Sequence, residues 1–436
     1  MANVLILSLV FRPDNVSTAQ IMGDLALDLY KLGHKVFVIT TIPHYNKDVE
    51  AVVNQPLNNY WGKLVQRSNY FNIDVLHVWM PHKGKNKVFR IITWLSFHIT
   101  STIVGCISGF KPDIIFAPSP PLTIGISAWL IGLRHNCPFI YNVQEIYPDI
   151  AVNLGELKSP FIIRILQNLE RFVYNRAGAL SVISDGMAHC IRFKGVPELK
   201  VRMIPNFVDI EDFRPLPKDN RFSRQYGLSN KFVISYAGNM GKPQGLGVLI
   251  EAAHLLHSED KIHFLLMGDG SERDSLIKKI KGLQLTNMTI LPYQPYSLMA
   301  EAYATADVSF VSQAPETCND GVPSKVYRIM ACARPVIACT SENSDLAHLI
   351  RKAGGGAIVR SGDATELANV IKQSSFERDV WMKKGQKART FILQNYSRST
   401  VSNLYHEFIM ELIHKDRKMQ SHDLDDKHPY KNSQSR

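Results

Sequence analysis

The chain has 436 residues, of which 45% are hydrophobic, so most of it must fold into globular domains, and two or three are expected. Its formal net charge of +11 suits an anionic substrate, an anionic membrane surface or nucleic acid. The sequence contains neither an aromatic-basic RNA motif nor a zinc-finger spacing, so we expect no nucleic-acid partner. The six cysteines form no CxxC pair and no metal-ligand spacing with histidine, which predicts free buried thiols in a reducing compartment.

The N-terminal segment MANVLILSLVFRPDN is apolar but lacks the basic residues and the cleavage site of a signal peptide, so it is predicted to be a first buried strand. Further apolar segments alternate with helical patterns in the first half of the chain: KVFVIT, DIIFAPS, PFIYNVQ and ALSVIS. The same alternation returns after about residue 210 with FVISYAG, HFLLMGD, MTILPY, DVSFVSQ and RPVIACT. This pattern predicts an α/β fold with two doubly wound parallel sheets, each covered on both faces.

A charged, proline-rich segment without periodicity, VRMIPNFVDIEDFRPLPKDNRF, separates the two series and is interpreted as a linker. We therefore assign a first Rossmann-like domain to residues 1–206 and a second to residues 207–395. A helix at 396–414 is predicted to pack back towards the first domain, and the polar tail at 415–436 is predicted to be disordered. Ligands of such folds bind beyond the carboxyl ends of the strands, so a cleft between two facing domains is the expected active site.

The segment VFRIITWLSFHITSTIVGCISGF at 88–110 is nearly long enough to span a membrane. Serine, threonine and histidine residues interrupt it, which favours a core helix or a helix lying in the membrane interface over a spanning one. Lys83, Lys85, Lys87 and Arg90 give its start four positive charges, which suit an anionic leaflet. The apolar side chains expected at the interface are Phe89, Ile92, Trp94 and Phe97.

Glycine-rich turns follow two strands of the second series. The first, GNMGKPQGLGVLIEA, contains Gly238 and Gly245 and opens a helix, whose dipole together with Lys242 would favour a phosphate. The second, MGDGSERDSL, contains Gly268. Neither turn matches a Walker loop or a dinucleotide fingerprint, and tight packing between strand and helix is the competing interpretation.

A third candidate site lies in DGVPSKVYRIMACARPVIA at 320–338, where turn residues precede a helical pattern. Pro323 and Ser324 would leave unpaired backbone N–H groups at the helix start, and Lys325 would add a positive charge there, which favours an anion. The alternative is that Ser324 caps the helix and Lys325 is a solvated surface charge.

The order of these motifs, together with PNFVD at 205–209, resembles the retaining nucleotide-sugar glycosyltransferases of family four, which have the GT-B fold of two facing Rossmann-like domains. The resemblance covers roughly residues 3–412. The forms G-N-x-G-x-x-Q-G-L and P-S-K are similar to those in the branch of colanic acid and O-antigen fucosyl- and fucosaminyltransferases.

The resemblance implies a nucleotide-sugar donor site in the second domain. The phosphate-binding arginine and lysine of the wider family correspond here to Asn239 and Gln244. Because those two charges are missing, the diphosphate would have to be bound by Lys325 and by backbone N–H groups. Lys242 is a further candidate for this role. The glycine turns and the P-S-K helix start complete the predicted phosphate contacts: Gly238, Gly245, Gly268, Pro323 and Ser324.

The nucleoside end of that site departs from the family pattern. Its paired glutamates, separated by seven residues, correspond to Asp320 and Arg328. Arginine is only a hydrogen-bond donor, so Arg328 cannot hold ribose hydroxyls as a carboxylate does, and pairing with a neighbouring acid is an equally open interpretation. Base recognition, if it follows the family, involves Tyr293 and Gln294 after the strand MTILPY.

On the opposite wall, the segment YNVQEIYPDIAVNLG places Glu145 where the family has a catalytic-site residue. Its carboxylate would position or deprotonate the acceptor, or orient the donor sugar, whereas a helix-start acid is the competing interpretation, and Asp149 is a weaker candidate. The loop VFRPDNVSTAQ would close over the acceptor with Arg12, Asn15 and Ser17, unless it is a simple strand-to-helix connection. The expected catalytic residues are Glu145, Asp320 and Lys325.

The resemblance thus implies transfer of a sugar with retention from a UDP- or GDP-linked donor to a lipid-linked or saccharide acceptor. It implies work in cell-surface polysaccharide synthesis, such as O-antigen, capsule or exopolysaccharide, at the inner face of the membrane, with the protein cytoplasmic and peripherally bound. No metal motif appears, so we expect metal independence and no cofactor. The alternatives are a GT-B nucleotide-sugar 2-epimerase and an inactive nucleotide-sugar-binding subunit.

Overall fold

The computed structural model describes residues 1–14, 16–44, 49–81, 87–314 and 321–426, with the backbone alone for residues 49–51, 87–92 and 419–426. Its first half contains a mixed sheet. The strands are β1 (Asn3–Leu7), β2 (Lys35–Thr41), β3 (Asn58–Trp61), β4 (Val65–Tyr70), β5 (Ile73–Val78), β6 (Ile114–Pro118), β7 (Phe139–Val143), β8 (Ala179–Val182) and β9 (Val201–Met203).

The strand order of this sheet is β3-β4-β5-β2-β1-β6-β7-β8-β9. All described pairings are parallel except those of β4 with β3 and β5, which are antiparallel. β1 lies between β2 and β6, so the winding direction reverses at β1. The helices are α1 (Ser17–Lys31), α2 (Val49–Asn54), α3 (Lys87–Ile107), α4 (Ile124–His135), α5 (Asp149–Asn153), α6 (Pro160–Arg176) and α7 (Asp185–Phe193), and a 3₁₀ turn spans Glu198–Lys200.

The second half contains a parallel sheet in the order β12-β11-β10-β13-β14-β15, and its winding reverses at β10. The strands are β10 (Phe232–Ala237), β11 (Ile262–Met267), β12 (Met288–Leu291), β13 (Val308–Ser312), β14 (Val336–Thr340) and β15 (Gly356–Arg360). The helices are α8 (Arg221–Gln225), α9 (Gly247–Leu255), α10 (Arg273–Gly282), α11 (Met299–Thr305), α12 (Lys325–Ala331), α13 (Asp345–Ala353), α14 (Ala364–Phe376), α15 (Arg378–Asn395) and α16 (Arg398–Asp426), with 3₁₀ turns at Lys242–Gln244 and Tyr296–Leu298.

The central strands are apolar on both faces because helices cover both sides of each sheet. In β1, Leu5 and Leu7 belong to one buried cluster, while Val4 and Ile6 belong to the cluster on the opposite face. Alternate residues of a strand point to opposite faces, so a strand buried on both sides needs an unbroken apolar run. The predicted α/β architecture with two doubly wound sheets is confirmed.

The chain crosses between the domains twice, and the two crossings lie side by side. Val208 of the linker donates its N–H to the carbonyl of Tyr396 at 3.1 Å, and Arg398 donates to the carbonyl of Val208 at 3.0 Å. α16 then packs on the first domain, where Tyr405 and Ile409 join the cluster that contains Val4 and Ile6 of β1. The linker and α16 therefore form a paired connection.

Helix α16 extends beyond the end predicted from the sequence. It continues through Asp426, which corrects the predicted start of a disordered tail at residue 415, while residues 427–436 lie outside the described part. The segment HKDRKM consists largely of good helix formers, and Arg417 donates to Asp113 of the first domain at 3.0 Å. Helix propensity and this contact explain why the polar sequence stays helical.

Helix α3 contains most of the apolar segment at 88–110. Phe97 is fully buried in the core of the first domain, so the prediction that it faces a membrane interface is wrong. The polar residues of this helix have protein partners, since His98 contacts the hydroxyls of Thr123 at 2.6 Å and Ser127 at 3.1 Å near or on α4. Among the described residues, none of the helices is long and apolar enough to cross a membrane.

Candidate active site

The carboxyl edges of the two sheets face each other. Contacts between the helix starts of the two domains show this arrangement. The Ser17 hydroxyl at the start of α1 lies 2.8 Å from the Ser324 hydroxyl, just before α12. Gly186 at the start of α7 donates its N–H to a carboxylate oxygen of Asp345 at the start of α13, at 3.0 Å. Each of these helices follows a strand of its sheet, so these contacts bring the usual ligand-binding edges of both domains together.

Two of the predicted glycines allow the loops after β10 and β11 to pack against each other. Gly238 has φ 140° and Gly268 has φ 150°, conformations that residues with a Cβ rarely adopt. A Cβ on Gly268 would lie 1.9 Å from the carbonyl oxygen of Gly238. Gly268 therefore allows a close contact between two loops, and Gly238 also lies beside Lys325.

Lys325 extends its ammonium group beneath the Gly238 turn. Its Nζ lies 4.1 Å from the centroid of the Tyr236 ring and 2.8 Å from the point where a Cβ on Gly238 would sit. This nitrogen is shielded from solvent and has no hydrogen-bond partner among the described residues. Burial lowers the pKa of Lys325 to about 7. The alternative that Lys325 is a solvated surface charge is wrong.

The residues that replace the family's phosphate-binding arginine and lysine are used differently. Gln244 closes its own turn, since its side-chain oxygen accepts the Gly241 N–H at 3.1 Å. The Asn239 side chain is exposed, as is Lys242 in the 3₁₀ turn, and Gly245 takes the left-handed conformation with φ 53°. None of these side chains supplies a buried cation. Among the residues of the predicted phosphate site that the structure describes, Lys325 is the lysine whose ammonium group is buried.

The helix start at 323–325 does not use Ser324 as a side-chain cap. The Ser324 hydroxyl faces Ser17, and no capping hydrogen bond is formed. Pro323 lies one residue earlier and accepts the Val326 N–H at 3.0 Å. The α12 start is therefore held by contacts with the first domain.

Arg328, one turn further along α12, is directed at the first domain. It donates to the side-chain oxygen of Gln20 on α1, and its guanidinium carbon lies 5.2 Å from the centroid of the Phe213 ring. The guanidinium carbons of Arg12 and Arg328 lie 5.4 and 5.9 Å from the centroid of the same ring, that of Tyr296. One predicted acceptor residue and one predicted donor residue thus meet in a single cluster between the domains.

The remaining predicted donor residues lie in the loop after β12. The Tyr293 hydroxyl donates to the Asp269 carbonyl at 3.3 Å, and the ring is 43% exposed. The Gln294 amide donates to the carbonyl of Pro292 at 2.9 Å. Tyr293 is thus close to the loop that follows β11, and its side chain is partly exposed to solvent.

Glu145 follows β7 at the carboxyl edge of the first sheet. Its side chain is reached by solvent and makes no hydrogen bond or ion pair with the described residues. The surrounding protein still displaces enough water to raise the pKa of its carboxyl group. Asp149 differs, because it forms an ion pair at 2.8 Å with Lys194, which also binds Glu170. Glu145 is therefore the available carboxylate of this segment, and Asp149 has a structural partner.

Two predicted residues, Asn15 and Asp320, lie outside the described residues, as do Lys83 and Lys85. Within the described part of the chain, no group of three or more His, Cys, Asp or Glu residues could hold a metal ion. Sequence reasoning missed Tyr236 and Gln20. Tyr236 is indistinguishable from the other buried residues of its strand, and Gln20 is one polar residue of an amphipathic helix, so only the tertiary contacts reveal them.

Two family models match this chain, and each falls on one of the two sheets. The "Glycosyl transferase 4-like domain" matches residues 18–206, and "Glycosyl transferases group 1" matches residues 231–374. Together they take in most of the chain. The chain therefore belongs to this group of glycosyltransferases, and its paired domains have the GT-B fold.

Individual proteins agree with this assignment. The chain is 26% identical over 289 residues to the probable glycosyltransferase WbjE of Pseudomonas aeruginosa, covering 66% of this chain and 72% of that protein. It is 25% identical over 384 residues to WcaI of Escherichia coli, a glycosyl transferase assigned to colanic acid biosynthesis, covering 85% of this chain and 91% of that one. The structure of HepE of Anabaena with UDP-glucose has the same fold, with a TM-score of 0.71 at 16% identity over 94% of this chain and 100% of that one.

Proposed function

We propose that the protein transfers a sugar from a nucleoside-diphosphate donor to an acceptor, with retention at the anomeric carbon. The observation that carries this proposal is the buried, unpartnered ammonium group of Lys325 beneath the Gly238 turn. A buried cation without a partner is costly, and an anion that enters the site offsets that cost. A diphosphate is the anion that suits a glycine turn flanked by a helix start.

The proposed chemistry begins with departure of the nucleoside diphosphate. As the bond between the anomeric carbon and the leaving oxygen breaks, negative charge grows on the diphosphate, and Lys325 stabilises it. The acceptor hydroxyl attacks on the same face, and a diphosphate oxygen accepts its proton. Glu145, on the opposite wall, orients the acceptor hydroxyl or the donor sugar.

The acceptor and the biological setting are proposed from the relatives. WcaI is assigned to colanic acid biosynthesis, and we propose a related role in the synthesis of cell-surface polysaccharide with a lipid-linked or saccharide acceptor. A UDP- or GDP-linked sugar is the proposed donor, and HepE was solved with UDP-glucose. The colanic acid and O-antigen fucosyl- and fucosaminyltransferases remain the proposed branch. We also propose that turnover needs no divalent metal, which an assay in excess EDTA tests.

The decisive experiment measures nucleotide release from UDP- and GDP-sugars with and without a lipid-linked sugar acceptor. We expect release to depend on the acceptor, and proton NMR of the product to show the anomeric configuration of the donor. Epimerised donor without nucleotide release would contradict transfer, and nucleotide binding without any release would indicate an inactive binding subunit. Inversion at the anomeric carbon would overturn retention alone.

We further propose that the first domain lies against an anionic membrane face. Helix α3 exposes a line of apolar side chains four residues apart, namely Leu95, Ile99, Ile103 and Ile107. Trp94, next to this line, is 39% exposed. Such a face beside the basic segment at 83–90 has the composition of an interface-lying helix.

Vesicle co-sedimentation tests this association. Binding to vesicles that contain phosphatidylglycerol should exceed binding to pure phosphatidylcholine and should fall at high salt, because exposed charges are screened. Changing Lys83, Lys85 and Lys87 together to Glu should release the protein. Release only by detergent would contradict a peripheral mode.

A further inference from the structure

The motif PNFVD, which the proposed chemistry does not use, lies in the linker at the paired connection between the domains. Its Asp209 forms an ion pair with Arg398 at the start of α16, at 3.1 Å. Its Asn206 is buried and donates its side-chain amide to the side-chain oxygen of Gln144 at 2.9 Å. Gln144 directly precedes Glu145, so the first crossing between the domains contacts the candidate catalytic segment.

Helix α16, which follows the second crossing, contacts the same segment. Tyr405 of α16 is fully buried, and its hydroxyl accepts the side-chain amide of Asn142 at 3.1 Å. The Asn142 side-chain oxygen accepts the Gln144 amide at 2.6 Å. Asn142 and Gln144 therefore connect the hydroxyl of α16 to the amide of the linker.

Two serine hydroxyls complete this network. Asn142 donates to the Ser181 hydroxyl on β8 at 2.9 Å, and the Gln144 backbone N–H donates to the Ser119 hydroxyl after β6 at 3.0 Å. The network is costly, because the buried side-chain oxygen of Asn206 has no hydrogen-bond partner among the described residues. The hydrogen bonds that are made restrict the side chains of Asn142 and Gln144 to one arrangement. Simple packing of α16 on the sheet would need none of these polar groups, since neighbouring positions are filled by apolar residues.

We propose that Tyr405 and Asn206 are positioning residues, which hold the segment carrying Glu145 in register with the donor domain through Asn142 and Gln144. This inference rests on the proposed function, because it assumes that Glu145 acts in the transfer reaction. Asn206 lies in the linker and Tyr405 lies on α16, the two segments that connect the domains.

The test compares Tyr405→Phe and Asn206→Ala with Val401→Ala, measured in the full-length protein with the nucleotide-release assay. Val401 is a buried residue of the same helix and the same apolar cluster, so its variant loosens α16 without removing a polar contact. Tyr405→Phe and Asn206→Ala should lower kcat on the order of tenfold while the donor KM stays within about twofold, because small displacements of a catalytic group slow the chemical step. Val401→Ala should keep kcat near the wild-type value.

A double variant distinguishes positioning from a general structural role. Tyr405→Phe combined with Glu145→Gln should be no slower than Glu145→Gln alone. If Tyr405 acts by positioning the Glu145 carboxylate, its loss has no further effect on kcat once that carboxylate has been removed. The acid limb of the pH profile of kcat should also move to lower pH in Tyr405→Phe. A less restrained Glu145 carboxylate is better hydrated, which lowers the pKa of Glu145.

The inference would be overturned if the kcat losses of Tyr405→Phe and Glu145→Gln multiplied in the double variant. Equal losses of kcat in Val401→Ala and Tyr405→Phe would overturn it too. A wild-type kcat in Tyr405→Phe beside an impaired Glu145→Gln would overturn it as well and leave the proposed function standing. A wild-type kcat in Glu145→Gln would instead contradict the role proposed for Glu145 itself.

Discussion

The two domains place a charged residue at the same interface, but they hold it differently. In the second domain, the Lys325 ammonium group is shielded from solvent and lies against the Tyr236 ring. In the first domain, the Glu145 carboxylate follows its strand directly and is open to solvent. The side chain of Lys325 belongs to the interior of its domain, whereas that of Glu145 belongs to the surface of the cleft.

This difference separates a site formed in advance from one completed by its ligand. Desolvation of Lys325 is part of the cost of folding, and the proposed diphosphate would meet an amino group that has already lost its water and would restore its charge. Glu145 is partly desolvated, which raises the pKa of its carboxyl group, and it makes no hydrogen bond with the described residues. Changes to the donor wall should therefore affect both nucleotide affinity and turnover, and changes to the acceptor wall should affect turnover alone.

Lys325→Met, on the donor wall, is expected to have the largest effect on turnover. Turnover should fall roughly 100-fold to 1000-fold, because a charge partner of the departing diphosphate is removed, and nucleotide affinity should fall with it. The free energy of unfolding should not decrease, since methionine of similar length replaces a buried cation without a described hydrogen-bond partner. Kinetics, calorimetry with UDP and GDP, and thermal unfolding measure the three quantities.

Lys352→Met is the control, because Lys352 is an exposed lysine of the same domain. It should leave turnover and nucleotide affinity near the wild-type values. Wild-type nucleotide affinity in Lys325→Met would show that the buried cation is a structural feature and that another group meets the phosphates.

Glu145→Gln should produce the second-largest effect, on the opposite wall. Turnover should fall about 100-fold, because the neutral amide does not orient the acceptor hydroxyl or the donor sugar as the carboxylate does, while the dissociation constant for the nucleoside diphosphate stays nearly unchanged. Glu156→Gln, which alters an exposed acid of the same domain, is the matched control. Near-normal turnover in Glu145→Gln would return this residue to the role of an acid at a helix start.

The sequence predicts the architecture of both domains because the buried strands are local and regular. Segments such as PFIYNVQ and HFLLMGD are mostly apolar, and the structure places β7 within the first, while β11 begins one residue before the second. Strands β3, β4, β5, β9 and β15 were not predicted, and β9 lies inside the segment interpreted as a linker. The sequences of β3 and β4, NNYW and VQRSNY, carry mostly polar, partly exposed residues. Such edge strands depend on pairing with a neighbour, which local patterns do not indicate.

The candidate site was predictable as a set of segments, but the burial of its side chains was not. The P-S-K motif indicated a helix start, yet burial of Lys325 against Tyr236 joins residues about ninety positions apart. Likewise, Arg328 departs from the family pattern in a way that the sequence leaves unexplained, whereas its partner Gln20 lies in the other domain. Interactions between domains follow from their relative placement, which no local pattern encodes.

The pH dependence of nucleotide affinity gives a further test of the buried cation. In the free protein, burial lowers the pKa of Lys325 from 10.5 to about 7, and a bound diphosphate would raise it again. Binding above pH 7 must therefore take up a proton, so affinity should fall by up to about tenfold per pH unit as the pH rises. Calorimetry with UDP and GDP between pH 7 and 9 measures this slope.

Lys325→Met provides the comparison, because it has no group to protonate at that position. Its affinity should be weak and nearly independent of pH over the same window. Equal slopes in the wild type and in Lys325→Met would assign the proton uptake to another group and contradict the lowered pKa of Lys325 as its source.

Arg328→Gln should change nucleotide affinity by less than about threefold by calorimetry, because its guanidinium group is directed at Gln20 and the aromatic rings. Its effect should instead fall on turnover, since the contact joins α12 beside the donor site to α1 beside the acceptor loop. Gln20→Ala removes the other partner and should slow turnover to a similar extent. The double variant should be no slower than either single one, because both changes break the same interaction. A tenfold or greater loss of nucleotide affinity in Arg328→Gln alone would show that the arginine contacts the nucleotide, and would move this residue from the interface between the domains to the donor wall.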